Sequence, residues 1–258
     1  MVEMFRTSFG PIEPAITTFA IVVATIILVL QAANRTPFRP SERRALGLMV
    51  SGIVAAWYCA ALWLGKTGYF FAASDLTVPR IPFPIVLPVV AAAWIMTRSV
   101  RVQALIDAVP FSWLTAIQVY RTLGAMFVGL WAAERLPAEF ALPAGWGDII
   151  VGLSAIPVAL MAAADHRASP VALQAWNLFG VADLVVAVAT GFVTSPGPYQ
   201  LLAFDRPNLL ISAYPLVMVP IFAVPLSFIL HIAGFIKLRR MAVTTRESAK
   251  PTMVTAAI

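Results

Sequence analysis

Two side chains of opposite charge stand where charge is expensive. Arg121 lies in an apolar run at 113–133 and Asp183 in another at 171–194, each near the middle of its run. A charge at the centre of a bilayer costs at least about 2.5–3.5 kcal/mol on insertion scales, so such residues face the interior of a helix bundle and pair. A pair of this kind is an interhelical brace or a ligand, proton or substrate site. Three residues before Arg121 stands Gln118, one after it Thr122, and Thr115 one turn further back; amide and hydroxyl groups there can accept the remaining guanidinium N–H bonds. Gln174 and Asn177 add amides to the second run. Asn177 is six residues from Asp183, about 120° around a helix, so the two need not share a pocket.

Asp148 competes for Arg121. It closes the motif Gly145-Trp146-Gly147-Asp148 at the start of an apolar run, where a carboxylate complements the helix dipole and caps free N–H groups. The cap is the first expectation and pairing with Arg121 the alternative. The aromatic pairs Trp57 with Tyr58 and Trp176 with Phe179 lie inside runs and either fill the core, the favoured reading, or line an apolar pocket. The candidate ligand-binding set is therefore Arg121, Asp183, Gln118, Asn177, Asp148 and Trp176. No catalytic residue, metal or cofactor is assigned.

Other chemistries lack their parts. A retinal Schiff base needs a lysine deep in the last run, and 208–236 contains none. His166, in a short loop, and His231, read as near the inner end of the last run, are the only imidazoles; each is more simply an interfacial histidine than a haem ligand. No H-E-x-x-H, G-x-S-x-G, P-loop or paired-aspartate motif occurs, which removes the usual hydrolytic and phosphoryl-transfer machinery. One cysteine, Cys59, precludes an intrachain disulfide and reads as a buried inert thiol.

The elements that must position these residues are membrane helices. Of 258 residues 60% are hydrophobic and 12% charged, about half the charge of a soluble domain, and mean hydropathy is +0.87. Runs of near 20 residues, long enough to cross about 30 Å of hydrocarbon, occupy roughly 14–33, 45–65, 81–97, 113–133, 146–164, 171–194 and 208–236. The expectation is an all-α bundle of seven transmembrane helices over 1–240, with a tail of disordered character at 241–258. Pro79, Pro82, Pro84 and Pro88 crowd the first half of the third run, and Pro215, Pro220 and Pro225 predict a bent last helix. The segment 102–112 reads as an interfacial lead-in. Gly124, Ala125 and Gly129, Gly152 and Ala155, and Gly180, Ala187 and Gly191 read as packing faces for close helix approach.

Lys and Arg give the orientation. Twelve fall on one side (Arg35, Arg39, Arg43, Arg44, Arg98, Arg101, Arg167, Lys237, Arg239, Arg240, Arg246, Lys250) and five on the other (Arg6, Lys66, Arg80, Arg135, Arg206). The richer side is cytoplasmic, placing the N-terminus outside and the C-terminus inside. Glu3, Arg6 and Glu13 before the first run, against four arginines after it, reverse the bias of a secretory signal, so the first run is expected to be an uncleaved anchor. Trp113 and Trp131 bracket the fourth run about 27 Å apart, at its two interfaces. The net charge of +6 then belongs to topology and lipid headgroups, not nucleic acid. An Arg-rich, Ala-rich composition suits a GC-rich bacterial genome and a cytoplasmic (inner) membrane.

Three functions fit. The first is binding or transport of a small apolar or amphiphilic molecule at a midplane site. The second is an accessory or assembly subunit with a structural ion pair and a partner complex or oligomer. The third is a lipid-phase isomerase or cyclase with Asp183 as acid, which conflicts with a paired Arg121, since a carboxylate held by a guanidinium is a poor proton donor.

Overall fold

The computed structural model describes residues 14–71 and 80–248. It is all-helical, 80% helix with no strands among the described residues. Glu3, Arg6, Glu13, Pro79 and Lys250 fall outside that range.

Helices α1 (Pro14–Asn34) and α2 (Pro40–Lys66) form an antiparallel hairpin. Its turn is tied by Arg43, whose Nε donates to Phe38 O at 2.7 Å and whose Nη1 donates to Asn34 O at 3.0 Å. Glu42 accepts the Arg39 N–H at 3.1 Å, filling one of the donors a helix start leaves open. Helix α3 (Pro82–Arg98) begins on prolines, which suit a first turn, and tolerates Pro88 inside. After Ser99 the chain turns by 95° into the short α4 (Val100–Ala108), the segment expected as an interfacial lead-in.

Residues 111–132 are helical throughout but in three pieces: α5 (Phe111–Ala116), a 3-10 segment (Ile117–Gly124) and α6 (Ala125–Ala132). Thr115, Gln118, Arg121, Gly124, Phe127 and Leu130 are all buried, a row with a period of three. An α-helix with 3.6 residues per turn would rotate such a row away from the core, whereas a 3-10 segment with three residues per turn holds it on one face. Helices α7 (Ala138–Ala163) and α8 (Ser169–Thr194) follow. An irregular stretch with a 3-10 turn at Leu210–Ser212 leads to a π-helical turn (Val219–Ala223) and α9 (Val224–Ser248).

Several boundaries differ from the sequence reading. Helix α7 starts at Ala138, not near 146, because Pro137 supplies the extended N-cap and Pro143 is carried within the helix. The last helix starts at 219, not 208, and continues to Ser248, eight residues into the segment read as tail. Cys59 is exposed rather than buried, and Phe179 is exposed.

Among the described residues, five helices are long and apolar enough to cross a membrane, six if α3 and α4 count as one broken span. The span Val219–Val243 is the central one, with 61% of its most apolar window buried against 22–39% for the others. Trp57 and Tyr58 fill the core against Phe222, with ring centroids 4.6 and 5.2 Å away. Trp63, Phe83, Leu87, Trp94, Leu160, Val171 and Leu178 point outward, and an apolar exterior around a polar centre is what a lipid solvent stabilises.

Candidate functional site

Four helical segments each bring one polar residue to about their own middle. Arg121 is the eleventh of residues 111–132, Asp148 the eleventh of 26 in α7, Asp183 the fifteenth of 26 in α8, and His231 the thirteenth of the 25 in the last span. They converge. Arg121 Nε donates to Asp148 Oδ1 at 2.7 Å and its Nη2 to Asp183 Oδ2. Its Nη1 donates to Gly180 O at 3.3 Å and meets His231 Nε2 at 3.1 Å. Four of the five guanidinium N–H bonds therefore end on protein acceptors. Arg121 is 3% exposed.

The histidine has a defined tautomer. Asn177 Nδ2 donates to Leu173 O at 2.8 Å, which turns its Oδ1 toward His231 Nδ1 at 2.9 Å. Nδ1 therefore carries the proton and Nε2 accepts from Arg121, so the partners assign a neutral ring. Trp176 packs on this ring at 4.9 Å between centroids and donates its indole N–H to Val151 O at 3.2 Å.

Missing side chains make the convergence possible. A Cβ at Gly147 would fall on the Asp183 carboxylate, one at Gly180 on the His231 ring, and one at Gly124 on Asp148. Gly124 and Gly180 do serve close approach, but of polar side chains rather than of helix backbones alone. Gly129 meets nothing within 4 Å and packs against no helix.

A cavity of about 390 Å³ adjoins the network, lined between α1, residues 120–133 and the start of α9. Its polar end consists of Asp148, Arg121 and the pair Tyr120 and Ser227, whose hydroxyls are 2.6 Å apart. Its walls are apolar side chains such as Ile21, Phe127, Leu130 and Leu184. Ala125, Gly129 and Ala133 are exposed along it, so it opens sideways at the seam between α1 and α6. A second cavity of about 90 Å³, whose lining includes Arg80, Asn208 and Ser212, also ends on Asp148.

Of the six residues read as candidates, five meet in one network: Arg121, Asp183, Asp148, Asn177 and Trp176. Asp148 is not a cap, because its helix begins ten residues earlier; it pairs with Arg121. Asn177 joins through His231 rather than through Asp183. Gln118 shares the buried face of Arg121 but does not bond it, and neither of its amide atoms is hydrogen-bonded. Thr122 bonds Val119 O instead, at 2.9 Å. His231 lies at the middle of its helix and not at the inner end, a correction that follows from the later start of that helix and its continuation past residue 236 to Ser248. Tyr120 and Ser227 carry no separate signal in the sequence, although Ser227 stands four residues before His231 on the same helix face. His166 is exposed in its loop. No group of three or more His, Cys, Asp or Glu suited to a metal occurs among the described residues.

The chain matches the family described as Domain of unknown function (DUF8737) over residues 78–239 and belongs to it. No curated protein and no solved structure matches it. The matched range contains every residue of the ion network and leaves out α1, which supplies one wall of the larger cavity.

Proposed function

We propose that this member of the family binds or transports a small amphiphilic molecule within the membrane. The supporting observation is the cavity of about 390 Å³ whose floor is the buried ion network. Its size and its few convergent polar groups among apolar walls match ligand sites in general. The sideways opening gives a molecule dissolved in the bilayer a direct route in. Because Arg121 is almost fully engaged by protein acceptors, the groups at the polar end left to meet a ligand are Asp148, Tyr120 and Ser227, with the hydroxyls of Thr17, Thr18 and Thr122 elsewhere in the lining.

The bundle in this reading crosses the membrane seven times, residues 111–132 being the crossing that the 3-10 segment divides. The N-terminus is outside and the C-terminus in the cytoplasm of a bacterial cell. Side-chain contacts support the two ends. Arg35 lies over the Trp113 ring at 4.2 Å, and Lys237 and Arg240 meet α4 beside it. Arg80 over Tyr69, Lys66 near Tyr214 and Arg206 on Glu134 gather residues of the opposite tally. A C-terminal fluorescent-protein fusion tests this: it should fluoresce, and a periplasmic phosphatase at the same position should be inactive.

The function is tested by purifying the full chain, extracting it with organic solvent and identifying co-purifying molecules by mass spectrometry. An amphiphile should accompany the wild type and be depleted in Gly129→Leu, which puts bulk into open space at the cavity wall. Equal retention by that variant would count against the cavity as the site.

A further inference from the structure

We infer that the cavity takes an amphiphilic amine in its protonated form, with Asp148 as counter-ion, and that ammonium and proton occupy the site in turn. The inference rests on the ligand-site reading above and names the ligand class.

The charge count carries it. The network holds one guanidinium, Arg121, against two carboxylates, Asp148 and Asp183. His231 is neutral by its partners, and Tyr120 is held in a hydroxyl pair with Ser227. These are the titratable groups that face one another from residues 111–132, α7, α8 and α9. With both carboxylates ionised the site is one positive charge short. A buried uncompensated charge is far costlier than a paired one, so the site needs a cation.

Geometry says where the cation goes. Asp148 Oδ1 is used by Arg121, while no hydrogen bond ends on Oδ2 among the described residues, and Asp148 lines both cavities. The Asp148 side chain is 18% exposed against 5% for Asp183, so Asp148 is the member of the pair that can be reached. Beside it the Tyr120 and Ser227 oxygens can accept further ammonium N–H bonds. The remaining wall is mostly hydrocarbon, with the threonines Thr17, Thr18 and Thr122 among it, and it suits an alkyl or aryl body and not a hydrated metal ion. Access past Arg80 in the smaller cavity is electrostatically unfavourable to a cation. Among the described residues, the seam between α1 and α6 carries no charge apart from the Arg121 and Asp148 pair at its floor.

The exchange balances simply. Without the amine, one proton held by the carboxylates meets the odd charge. As R–NH3+ docks, that proton leaves to water; one positive charge replaces another and no bond between heavy atoms changes.

The experiment uses the full-length protein in phosphatidylcholine nanodiscs, with protein-free nanodiscs as the blank, titrated with n-octylamine, 1-octanol, sodium octanoate and sodium chloride. Binding is read by tryptophan fluorescence and proton release in weak buffer. Octylamine should bind about tenfold or more tighter than octanol, octanoate weakest, with up to one proton released per amine. Asp148→Asn should reduce amine affinity to the octanol level, a loss of about tenfold or more. Octanoate binding best, amine binding no tighter than octanol, amine binding without proton release, sodium chloride producing the same response, or an amine affinity that Asp148→Asn leaves unchanged would each overturn the inference while octanol binding keeps the cavity. If none of the three octyl probes binds, the ligand-site reading itself fails. Should the substitution prevent folding, the ranking of the probes on wild-type protein decides alone.

Discussion

Two charged clusters in this molecule use similar side chains to opposite ends. At one end of the bundle the Lys237 ammonium donates to the carbonyls of Ile106 at 3.3 Å, Asp107 at 2.7 Å and Val109. These lie at and just past the C-terminal end of α4, where helix carbonyls run out of regular partners, although the Ile106 carbonyl also accepts the Val109 N–H at 3.3 Å. Arg240 holds Asp107 through Nε at 3.1 Å and Nη2 at 2.8 Å, and Gln103 at 2.9 Å. Every donor of Lys237 is met, and the one carboxylate has its guanidinium. The mid-helix cluster is instead short of one positive charge and leaves a carboxylate oxygen open to a cavity. A closed cluster fastens α4 to α9, whereas an open one is poised for a ligand. The contrast predicts that breaking the first costs stability alone and breaking the second costs stability or binding according to which residue is removed.

Arg121→Gln should have the largest effect. It strands two carboxylates together in a buried site, and removing one partner of a buried ion pair typically costs about 3–5 kcal/mol. Asp183→Asn should cost less, about 1–2 kcal/mol, because Arg121 keeps Asp148 and the new amide oxygen can still accept. Folded yield by size-exclusion chromatography in detergent should therefore rank wild type, Asp183→Asn, Arg121→Gln. Equal loss from both would show that the charge imbalance has no energetic weight.

Gly147→Ala comes next. Its Cβ would occupy the place of the Asp183 carboxylate, so the side chain or helix α7 must shift, at a cost of about 1–3 kcal/mol. Gly129→Ala is the control, since its Cβ meets nothing within 4 Å; on a helix interior it should be neutral or stabilising by up to about 1 kcal/mol. Thermal unfolding of the two variants side by side separates the glycines that clear polar groups from those that do not.

Those glycines mark the boundary of what the sequence could disclose. Depth is readable, because Arg121 and Asp183 each sit near the middle of a run whose ends are visible in hydropathy, and the spacing of three from Thr115 to Arg121 is in the sequence. The pairing follows from the cost of unpaired charge. What stays hidden depends on helix starts. Pro137, Pro143, Gly145 and Gly147 look like breakers, yet α7 runs through all but the first, which moves Asp148 from the start of a helix to near its middle. Pro215 and Pro220 look like kinks within a long helix, yet they precede or form its π-helical start, and with the continuation of that helix to Ser248 this moves His231 from the end to the centre. An irregular helix is written in backbone geometry that residue types alone do not specify, and π turns of this kind recur at functional sites.

Lys237→Met tests the closed cluster. The carbonyls of Asp107 and Val109 lose their Lys237 donor while Ile106 keeps the Val109 N–H, and leaving buried acceptors unmet costs about 1–3 kcal/mol in total. The thioether side chain keeps much of the packing beside Phe111, where the ammonium now lies 5.0 Å from the ring centroid. Hydrogen exchange should rise in residues 100–110, while octylamine binding stays at the wild-type level. A loss of binding would join the two clusters and remove the distinction drawn between them.

The smallest expected effect has the opposite sign. Gln118 is 1% exposed, and neither its amide nitrogen nor its oxygen is hydrogen-bonded, a burial that costs about 1–3 kcal/mol of desolvation. It stands one 3-10 turn before Arg121 on the same face, within the region of the open cluster, yet it does not line the larger cavity. If it takes no part in binding, Gln118→Leu should raise thermal stability by about 1 kcal/mol and leave amine affinity unchanged. A fall in affinity together with the gain in stability would extend the open cluster to this amide and make it a further polar contact for the ligand beside Asp148, Tyr120 and Ser227.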